Sequence, residues 1–486
     1  MHHNNRLMRF TMGAFLFIYM VETSVLSVFA VTDFRAEAEA RKSLPIETDS
    51  YENWPDGPAI GAESAILMEA NTGTILYAKN IHERLYPAST TKILTCLIAS
   101  EKCKMDERVK MSHKAVFTIP RDSSNVGLDE GEEISVEECL YAILVGSANE
   151  AANAIGEHIS GSMEDFAKLM NERATELGCE DSHFVTTNGL HDDDHYTSAY
   201  DLAMIAKAFF ANELLCKMSS TTTYHIPQSA TQPDDDLYIH SKNKLYAGAT
   251  YAYDGLLGSK TGYTDTARQT LVSCAQRGNM KLVCVIMKEE SPEQFTDTVS
   301  LFDYGFDKFQ ALTVAEYETA YTVSDHDLFP SEKAIFGSAT PLLSLNEEAT
   351  VVLPITGVFD DLDSTLSYET DKEDVIAEIF YTYHGIPVGS ATIDVTTSEK
   401  KAEFDFSNQK ENQKPDLSKV QKEETPVIFI NVRRVVFYVS VGAAGLILIC
   451  VIHSVISNYH FAKRRKSKLR RKKRKRVHSP FDDFDF

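Results

Sequence analysis

Ser89 and Lys92 stand three residues apart and have the side-chain types of a nucleophile and its base. Pro87-Ala88 precedes them, and apolar residues then recur with helical spacing from Ile93 to Ile98, which predicts a helix beginning at Ser89. Residues three apart on a helix have Cβ atoms about 5–6 Å apart, so the amine can reach the hydroxyl. The helix dipole and the apolar surroundings both disfavour an ammonium ion. The position therefore suits a neutral amine that accepts the serine proton.

Two further short motifs carry polar groups suited to the same chemistry. Ser147-Ala148-Asn149 supplies a hydroxyl and an amide, which can relay a proton and hold a substrate amide. Lys260-Thr261-Gly262 is predicted to open a strand, where a cation and a hydroxyl suit a substrate carboxylate and the glycine leaves room for an extended ligand. Alone, each motif has a plainer interpretation, a helix cap for the first and a turn for the second. Their order after the Ser89 motif favours the chemical interpretation.

With S-x-x-K, S-x-N and K-T-G in this order, the sequence resembles the serine-type D-alanyl-D-alanine carboxypeptidases, the low-molecular-weight penicillin-binding proteins. The resemblance extends from residue 60 to about residue 310. It is carried by the segments ESAILMEANTGTILYAKN, PASTTKILT, GEEISVEECLYAILVGSANEAANAIGEHI, NGLHDDDHYTSAYDLAMIAKAF and GSKTGYTDTA. It implies a penicillin-binding-protein/β-lactamase-like transpeptidase domain, in which an antiparallel sheet carries a helical subdomain.

The resemblance implies catalytic roles for the first two motifs. Ser89 is expected to be the nucleophile and Lys92 its base. Ser147 is expected to assist proton transfer, and Asn149 to position the substrate.

The third motif is implied to bind the end of the substrate. Lys260 and Thr261 are expected to hold the terminal carboxylate. The backbone N–H groups of Ser89 and of Tyr263, which follows Gly262, are expected to form the oxyanion hole. Arg268 departs from the family pattern, in which small residues follow the alanine, and this difference concerns substrate preference rather than the chemistry.

The sequence predicts neither a metal ion nor a cofactor. The run His191 to His195 reads HDDDH and offers imidazole and carboxylate ligands. Five consecutive residues rarely converge on one ion, and the run leads into a helix cap at Ser198. A loop is therefore the preferred interpretation.

The elements around the motifs predict an α+β catalytic domain over residues 59–320. Strand patterns flank the turn signal Asn71-Thr72-Gly73, four helical patterns follow, and a hairpin is expected about Gly278-Asn279. Along the chain, strands come before and after the helices. This order predicts a sheet with a helical insertion.

Further segments surround this domain. Residues 31–58 are acidic and contain three prolines, as a linker does. Short alternating runs over 331–400 predict a small antiparallel β-domain without catalytic residues, followed by a charged stalk over 401–426. Eight cysteines lack CxxC spacing and are expected to be free thiols.

Both ends of the chain predict export and membrane attachment. Residues 1–30 have the pattern of a signal peptide or signal anchor, and residues 435–456 are apolar for long enough to cross a bilayer. Residues 457–486 carry a net charge of +9, against −23 for the whole chain, which leaves −32 for the rest. The positive-inside rule puts this tail in the cytoplasm and the catalytic domain outside the cell membrane. A nucleic-acid-binding tail is the weaker interpretation, because no aromatic residue interrupts the basic run.

Together these features predict a serine DD-carboxypeptidase that removes the terminal D-alanine from peptidoglycan stem pentapeptides through an acyl-serine intermediate, with β-lactam antibiotics as inhibitors. A serine β-lactamase is the first alternative, but the chain has no Glu-x-x-Leu-Asn segment. A catalytically silent β-lactam sensor or wall-binding protein is the second. The sequence leaves open a vegetative or sporulation role, cleavage of cross-links, the oligomeric state and the role of the β-domain.

Overall fold

The computed structural model describes residues 33–227, 236–321, 342–370 and 374–396. Its helices are α1 Phe34–Arg41, α2 Lys92–Lys102, α3 His113–Phe117, α4 Val136–Val145, α5 Asn149–Ser160, α6 Met163–Glu176, α7 Ala199–Phe210, α8 Glu213–Ser219, α9 Glu293–Lys308 and α10 Val314–Tyr317. Its strands are β1 Ser64–Glu69, β2 Ile75–Lys79, β3 Arg108–Lys110, β4 Glu133–Ser135, β5 Thr223–Ile226, β6 Leu237–His240, β7 Leu256–Thr264, β8 Arg268–Arg277, β9 Met280–Glu289, β10 Phe309–Thr313, β11 Leu342–Leu345, β12 Thr350–Pro354, β13 Leu362–Ser367, β14 Val375–Tyr383 and β15 Ile386–Thr396.

A five-stranded antiparallel sheet in the order β2-β1-β9-β8-β7 separates two hydrophobic cores. Side chains alternate across a strand, and the alternation is visible in β1. Ile66 and Met68 belong to the core beneath the helical subdomain, whereas Ala65 and Leu67 belong to the core on the opposite face. Burial on both faces explains why β1 and β9 are mostly apolar.

The helical subdomain lies between β2 and β7 in the chain, as the sequence predicts. Helix α2 is its central element, because every residue from Lys92 to Ala99 is buried. Such a helix is packed on all sides rather than along one stripe. Helix α4 begins with a capping box between Ser135 and Glu138, and α7 begins at the predicted Ser198 cap, whose side chain accepts from the Asp201 N–H.

The linker prediction for residues 31–58 is wrong for the described part, because this segment packs on the catalytic domain. It contains α1 and the buried Trp54, whose indole N–H donates to the Leu76 carbonyl at 3.0 Å. Arg41 Nε donates to the Gly61 carbonyl at 2.8 Å. A few anchoring side chains thus order a segment whose average composition is that of a linker.

The boundary between the catalytic and β-rich parts also differs from the prediction. Strand β10, assigned from sequence to the catalytic domain, pairs with β12, with Phe309 opposite Pro354. It completes an antiparallel sheet in the order β10-β12-β15-β14-β13, with β11 on β15. One core of the described residues runs from the central sheet through α9 into this second sheet, so the two parts pack directly on each other.

The predicted signal segment, stalk, membrane span and basic tail lie outside the described residues. Within the described ranges, no helix has the length and apolar character needed to cross a bilayer. All seven cysteines of those ranges are free thiols.

Candidate active site

The nucleophile candidate Ser89 lies in a 3₁₀ turn, Ala88–Thr91, that leads directly into α2. The sequence predicts Ser89 as the first residue of the helix, but α2 begins at Lys92, and Thr91 stands at its cap position without a capping side-chain bond. Ala88 has a φ of 49°, a left-handed conformation that costs a non-glycine residue about 1 kcal/mol or more. The strained turn leaves the Ser89 hydroxyl free from capping, and it faces Lys92.

Lys92 Nζ contacts three oxygen atoms: Ser89 Oγ at 2.8 Å, Asn149 Oδ1 at 2.7 Å and the Asn188 carbonyl at 2.7 Å. The two carbonyl-type oxygens can only accept hydrogen bonds. A neutral amine keeps two N–H groups for them, so its lone pair must face the one partner that can donate, the Ser89 hydroxyl. The neighbouring groups thereby orient Lys92 as a base toward Ser89.

The surroundings of Lys92 also favour its neutral form. The side chain is fully buried, and burial, reinforced by the positive charge of Lys260, holds the pKa of Lys92 well below its usual range. The buried Glu150 carboxyl opposes this shift. The predicted proximity of Ser89 and Lys92 is thus present, and burial is the main cause of the lowered pKa of Lys92.

The segment Thr187-Asn188-Gly189 supplies contacts that the sequence did not assign. Its central carbonyl binds Lys92, and the Asn188 side-chain amide donates to Asn153 Oδ1 at 2.9 Å. A Cβ atom on Gly189, which has a φ of 81°, would lie 1.8 Å from the Ala88 carbonyl oxygen. Only glycine permits this approach. The Asn-Gly pair was the available signal, since it marks a turn.

Ser147 occupies the short connection between α4 and α5, and Asn149 is the first residue of α5. Ser147 has a φ of 60° and is not a helix cap, which is the role of Ala148. Its hydroxyl accepts from Lys260 Nζ at 3.0 Å. Because Lys92 uses Asn149 Oδ1, the Asn149 Nδ2 group is left to donate to a ligand in the cleft.

The K-T-G motif lies well inside β7, not at its start as the sequence predicts. Lys260 is buried, which lowers its pKa to about 7, and its amine also contacts the Thr261 carbonyl at 2.7 Å. A Cβ atom on Gly262 would lie 2.9 Å from the Ser89 backbone nitrogen. The glycine therefore lets β7 pack against the nucleophile turn, beside the N–H group predicted for the oxyanion hole. That role of Ser89 and Tyr263 stays a prediction.

Arg268, the departure from the family pattern, is fully engaged beside the site. Its guanidinium donates twice to Glu290, at 2.7 and 2.6 Å, and its Nη1 lies 3.4 Å from the Tyr263 hydroxyl. The Phe34 ring of α1 covers the guanidinium at 3.8 Å from its centroid. The positive charge of Arg268 is therefore balanced by Glu290. The side chain is held against the rim of the cleft and is not left to bind a substrate carboxylate.

Most residues of the three motifs line one cleft of about 440 Å³. The lining residues from the three motifs are Ser89, Ser147, Asn149, Lys260, Thr261, Gly262 and Tyr263. Further lining comes from Asp122-Ser123-Ser124 and from Ser241 to Lys244. Lys92 reaches the cleft only through its contacts with Ser89 and Asn149. All predicted site residues are thus brought together.

The HDDDH run contributes a structural histidine. His195 is buried, and its Nδ1 accepts from the backbone N–H groups of Val185 and Thr186 at 3.0 and 3.2 Å. Its Nε2 must therefore carry the proton and donate to Thr91 Oγ1 at 2.9 Å. Among the described residues, the run is not part of a set with metal-binding geometry.

Comparison with known proteins identifies this arrangement. Residues 51–291 match the family model of D-alanyl-D-alanine carboxypeptidase, Peptidase_S11. Over these residues the chain matches this family. It is 36% identical over 255 residues to the D-alanyl-D-alanine carboxypeptidase DacF of Bacillus subtilis, which covers 51% of this chain and 63% of that protein. It is 28% identical over 354 residues to DacA of Haemophilus influenzae, covering 70% of this chain and 85% of that one.

The solved structure of penicillin binding protein 5 from Haemophilus influenzae superimposes with a TM-score of 0.55 and 25% identity. The match covers 71% of this chain and 98% of that one. The penicillin-binding-protein-like α+β fold expected from the motifs is confirmed. The chain spans less than two thirds of the length of DacF, and α1 lies outside the region matched by the family model.

Proposed function

We propose that this protein is a member of the D-alanyl-D-alanine carboxypeptidase family and hydrolyses the terminal D-alanyl-D-alanine bond of peptidoglycan stem pentapeptides. The observation that carries the proposal is the set of contacts around Lys92, whose lone pair can face only Ser89. The names of the relatives support the same activity.

In the first step, Ser89 Oγ attacks the carbonyl carbon of the penultimate D-alanine and its proton moves to Lys92 Nζ. The carbonyl oxygen becomes an oxyanion, for which the N–H groups of Ser89 and Tyr263 are the expected donors. As the C–N bond breaks, the departing amine takes the proton that Lys92 accepted from Ser89, which leaves Lys92 neutral. The Ser147 hydroxyl, held by Lys260, is the group suited to relay it.

In the second step, water attacks the acyl ester after D-alanine has left. Lys92 is neutral again and is the base available to take the water proton, and Ser89 Oγ recovers its proton as it departs. Lys260 and Thr261 are proposed to bind the terminal carboxylate, with Asn149 Nδ2 on a substrate carbonyl. No step needs a cofactor.

β-Lactams are proposed to acylate Ser89 and to form an acyl-enzyme that is hydrolysed slowly. Their cleaved ring stays attached to the acyl group and blocks the approach of water. No glutamate is among the described residues that line the cleft, which argues against the β-lactamase alternative. The oriented base argues against a silent sensor, because binding alone does not require one.

The test is release of D-alanine from a pentapeptide stem by the purified protein. We expect turnover by the natural chain, none by Ser89→Ala, and a persistent adduct on the Ser89 peptide after a penicillin pulse. Absence of D-alanine release from a protein that binds penicillin would support the sensor. Penicillin hydrolysis as fast as D-alanine release would support the β-lactamase.

We also propose that residues 435–456 anchor the protein in the cell membrane, with the catalytic domain outside and the basic tail inside. The apolar run followed by the basic run supports this orientation. Protease added to intact protoplasts should remove the catalytic domain and spare an epitope at the FDDFDF terminus. Equal digestion of both would contradict it.

A further inference from the structure

A cluster of three metal-binding side-chain types lies away from the cleft, and no step of the proposed mechanism uses it. The cluster consists of Cys103, Glu107 and His158. Their thiol, carboxylate and imidazole ligand atoms all lie within 4.8 Å of one another. In the described ranges, no other group of three such side chains has this geometry.

Two segments of the chain bring these side chains together. Cys103 is the C-terminal cap residue of α2, and Glu107 belongs to the loop that follows it. His158 lies in the last turn of α5. The first residues of these two helices are Lys92 and Asn149, so both helices run from the active site to the cluster, over roughly 15 Å at 1.5 Å per residue.

An ion pair explains only part of the cluster. His158 Nε2 lies 3.1 Å from Glu107 Oε2, and both side chains are partly exposed, so this contact by itself contributes little to stability. Cys103 is a half-buried free thiol, and among the described residues no hydrogen-bond partner is found for its Sγ. The ion pair between His158 and Glu107 forms without a cysteine. A bound metal ion, in contrast, uses all three side chains.

The donor set selects the metal. Thiolate, imidazole and carboxylate together are typical ligands of Zn²⁺, which accepts four ligands in a tetrahedral arrangement. Hard cations such as Ca²⁺ and Mg²⁺ prefer oxygen alone. Partial exposure of the three side chains leaves a fourth position for water.

We propose that Cys103, Glu107 and His158 form a binding site for one Zn²⁺ ion that joins the C-terminal ends of α2 and α5. On binding, the Cys103 thiol releases its proton to solvent and the thiolate forms the Zn–S bond. The carboxylate and the neutral imidazole bind through an oxygen and a ring nitrogen. The site is structural, and it does not depend on the function proposed above.

Co²⁺ and Zn²⁺ binding to the full chain, purified in detergent under reducing conditions, tests the proposal. Co²⁺ is expected to give a thiolate-to-metal absorption band at a stoichiometry of one, displaced by Zn²⁺. Cys103→Ser should lose the band. His158→Gln and Glu107→Gln should weaken Zn²⁺ binding at least about tenfold, equivalent to about 1.4 kcal/mol.

Cys216→Ser is the matched control, because Cys216 is another half-buried free thiol and lies on α8. It should bind both metals like the natural chain. Zn²⁺ should also raise the unfolding temperature of the natural chain and of this control, but not that of Cys103→Ser. A natural chain with titratable thiols and no stoichiometric Co²⁺ band would overturn the proposal, as would a band that survives Cys103→Ser.

Discussion

His195 Nε2 donates to Thr91 Oγ1 at 2.9 Å, so a histidine more than one hundred residues away in the chain supports the residue directly before the candidate base. The same imidazole accepts two backbone N–H groups through Nδ1. Both ring nitrogens therefore take part in hydrogen bonds. Only the neutral imidazole can accept at Nδ1 while it donates at Nε2.

This neutral histidine predicts an acid-dependent loss of stability. Burial lowers the pKa of His195 from 6.5 to about 3. Between these values the unfolded chain binds a proton that the folded protein does not, so the free energy of unfolding falls as the pH falls, by up to about 1.4 kcal/mol per pH unit. Urea unfolding at several pH values should show a shallower pH dependence for His195→Gln than for the natural chain. The exposed His113→Gln serves as control, and equal slopes in all three would contradict the prediction.

Replacing Lys92 with arginine should strongly slow acylation without unfolding the protein. Guanidinium does not deprotonate in proteins, so the variant has no lone pair to face Ser89. We expect labelling by a fluorescent penicillin to slow at least about a hundredfold, the lower end of what general-base catalysis contributes. Lys102→Arg, at the opposite end of α2, should label normally. Rapid labelling of the Lys92 variant would remove its assignment as the base.

The pKa of Lys260 predicts the alkaline side of the activity profile. Its amine is charged below about pH 7 and neutral above it, so binding of a substrate carboxylate weakens as the pH rises through this value. The pH profile of kcat/KM, which reports the free enzyme, should therefore fall above about pH 7. Lys260→Arg keeps its charge, so the kcat/KM of this variant should not change over this pH range. A natural enzyme with constant kcat/KM from about pH 6 to pH 9 would exclude Lys260 as the carboxylate-binding cation.

The contact between Phe34 and Arg268 predicts that α1 contributes to the stability of the active-site rim. Phe34→Ala should lower the free energy of unfolding by about 1–2 kcal/mol, because it removes apolar burial and a cation–π contact. Arg35→Ala, on the exposed part of α1, should have little effect. In a double-mutant cycle with Arg268→Lys, which keeps a charge for Glu290, a coupling of about 0.5 kcal/mol or more is expected. Additive effects would mean that the two side chains do not interact.

The sequence by itself determined the candidate catalytic residues and most of the catalytic fold. The spacing of Ser89 and Lys92, the S-x-N and K-T-G motifs, the helical periodicities and the hairpin at Gly278-Asn279 are local features, and each depends on residues close together in the chain. Local spacing is sufficient for them because helix and turn geometry fix the distances between near neighbours.

Only the tertiary structure decided how the site is oriented and what supports it. The carbonyl of Asn188 reaches Lys92 across 96 residues, and Lys260 reaches Ser147 across 113. A backbone carbonyl has no side-chain signature, so the Asn188 contact has no pattern to detect. The packing of α1 and the pairing of β10 with β12 were missed for a related reason. Average composition describes a segment by itself, whereas Phe34 is held by Arg268, far away in the chain. Trp54 and Phe309 meet their partners only when the shared core forms.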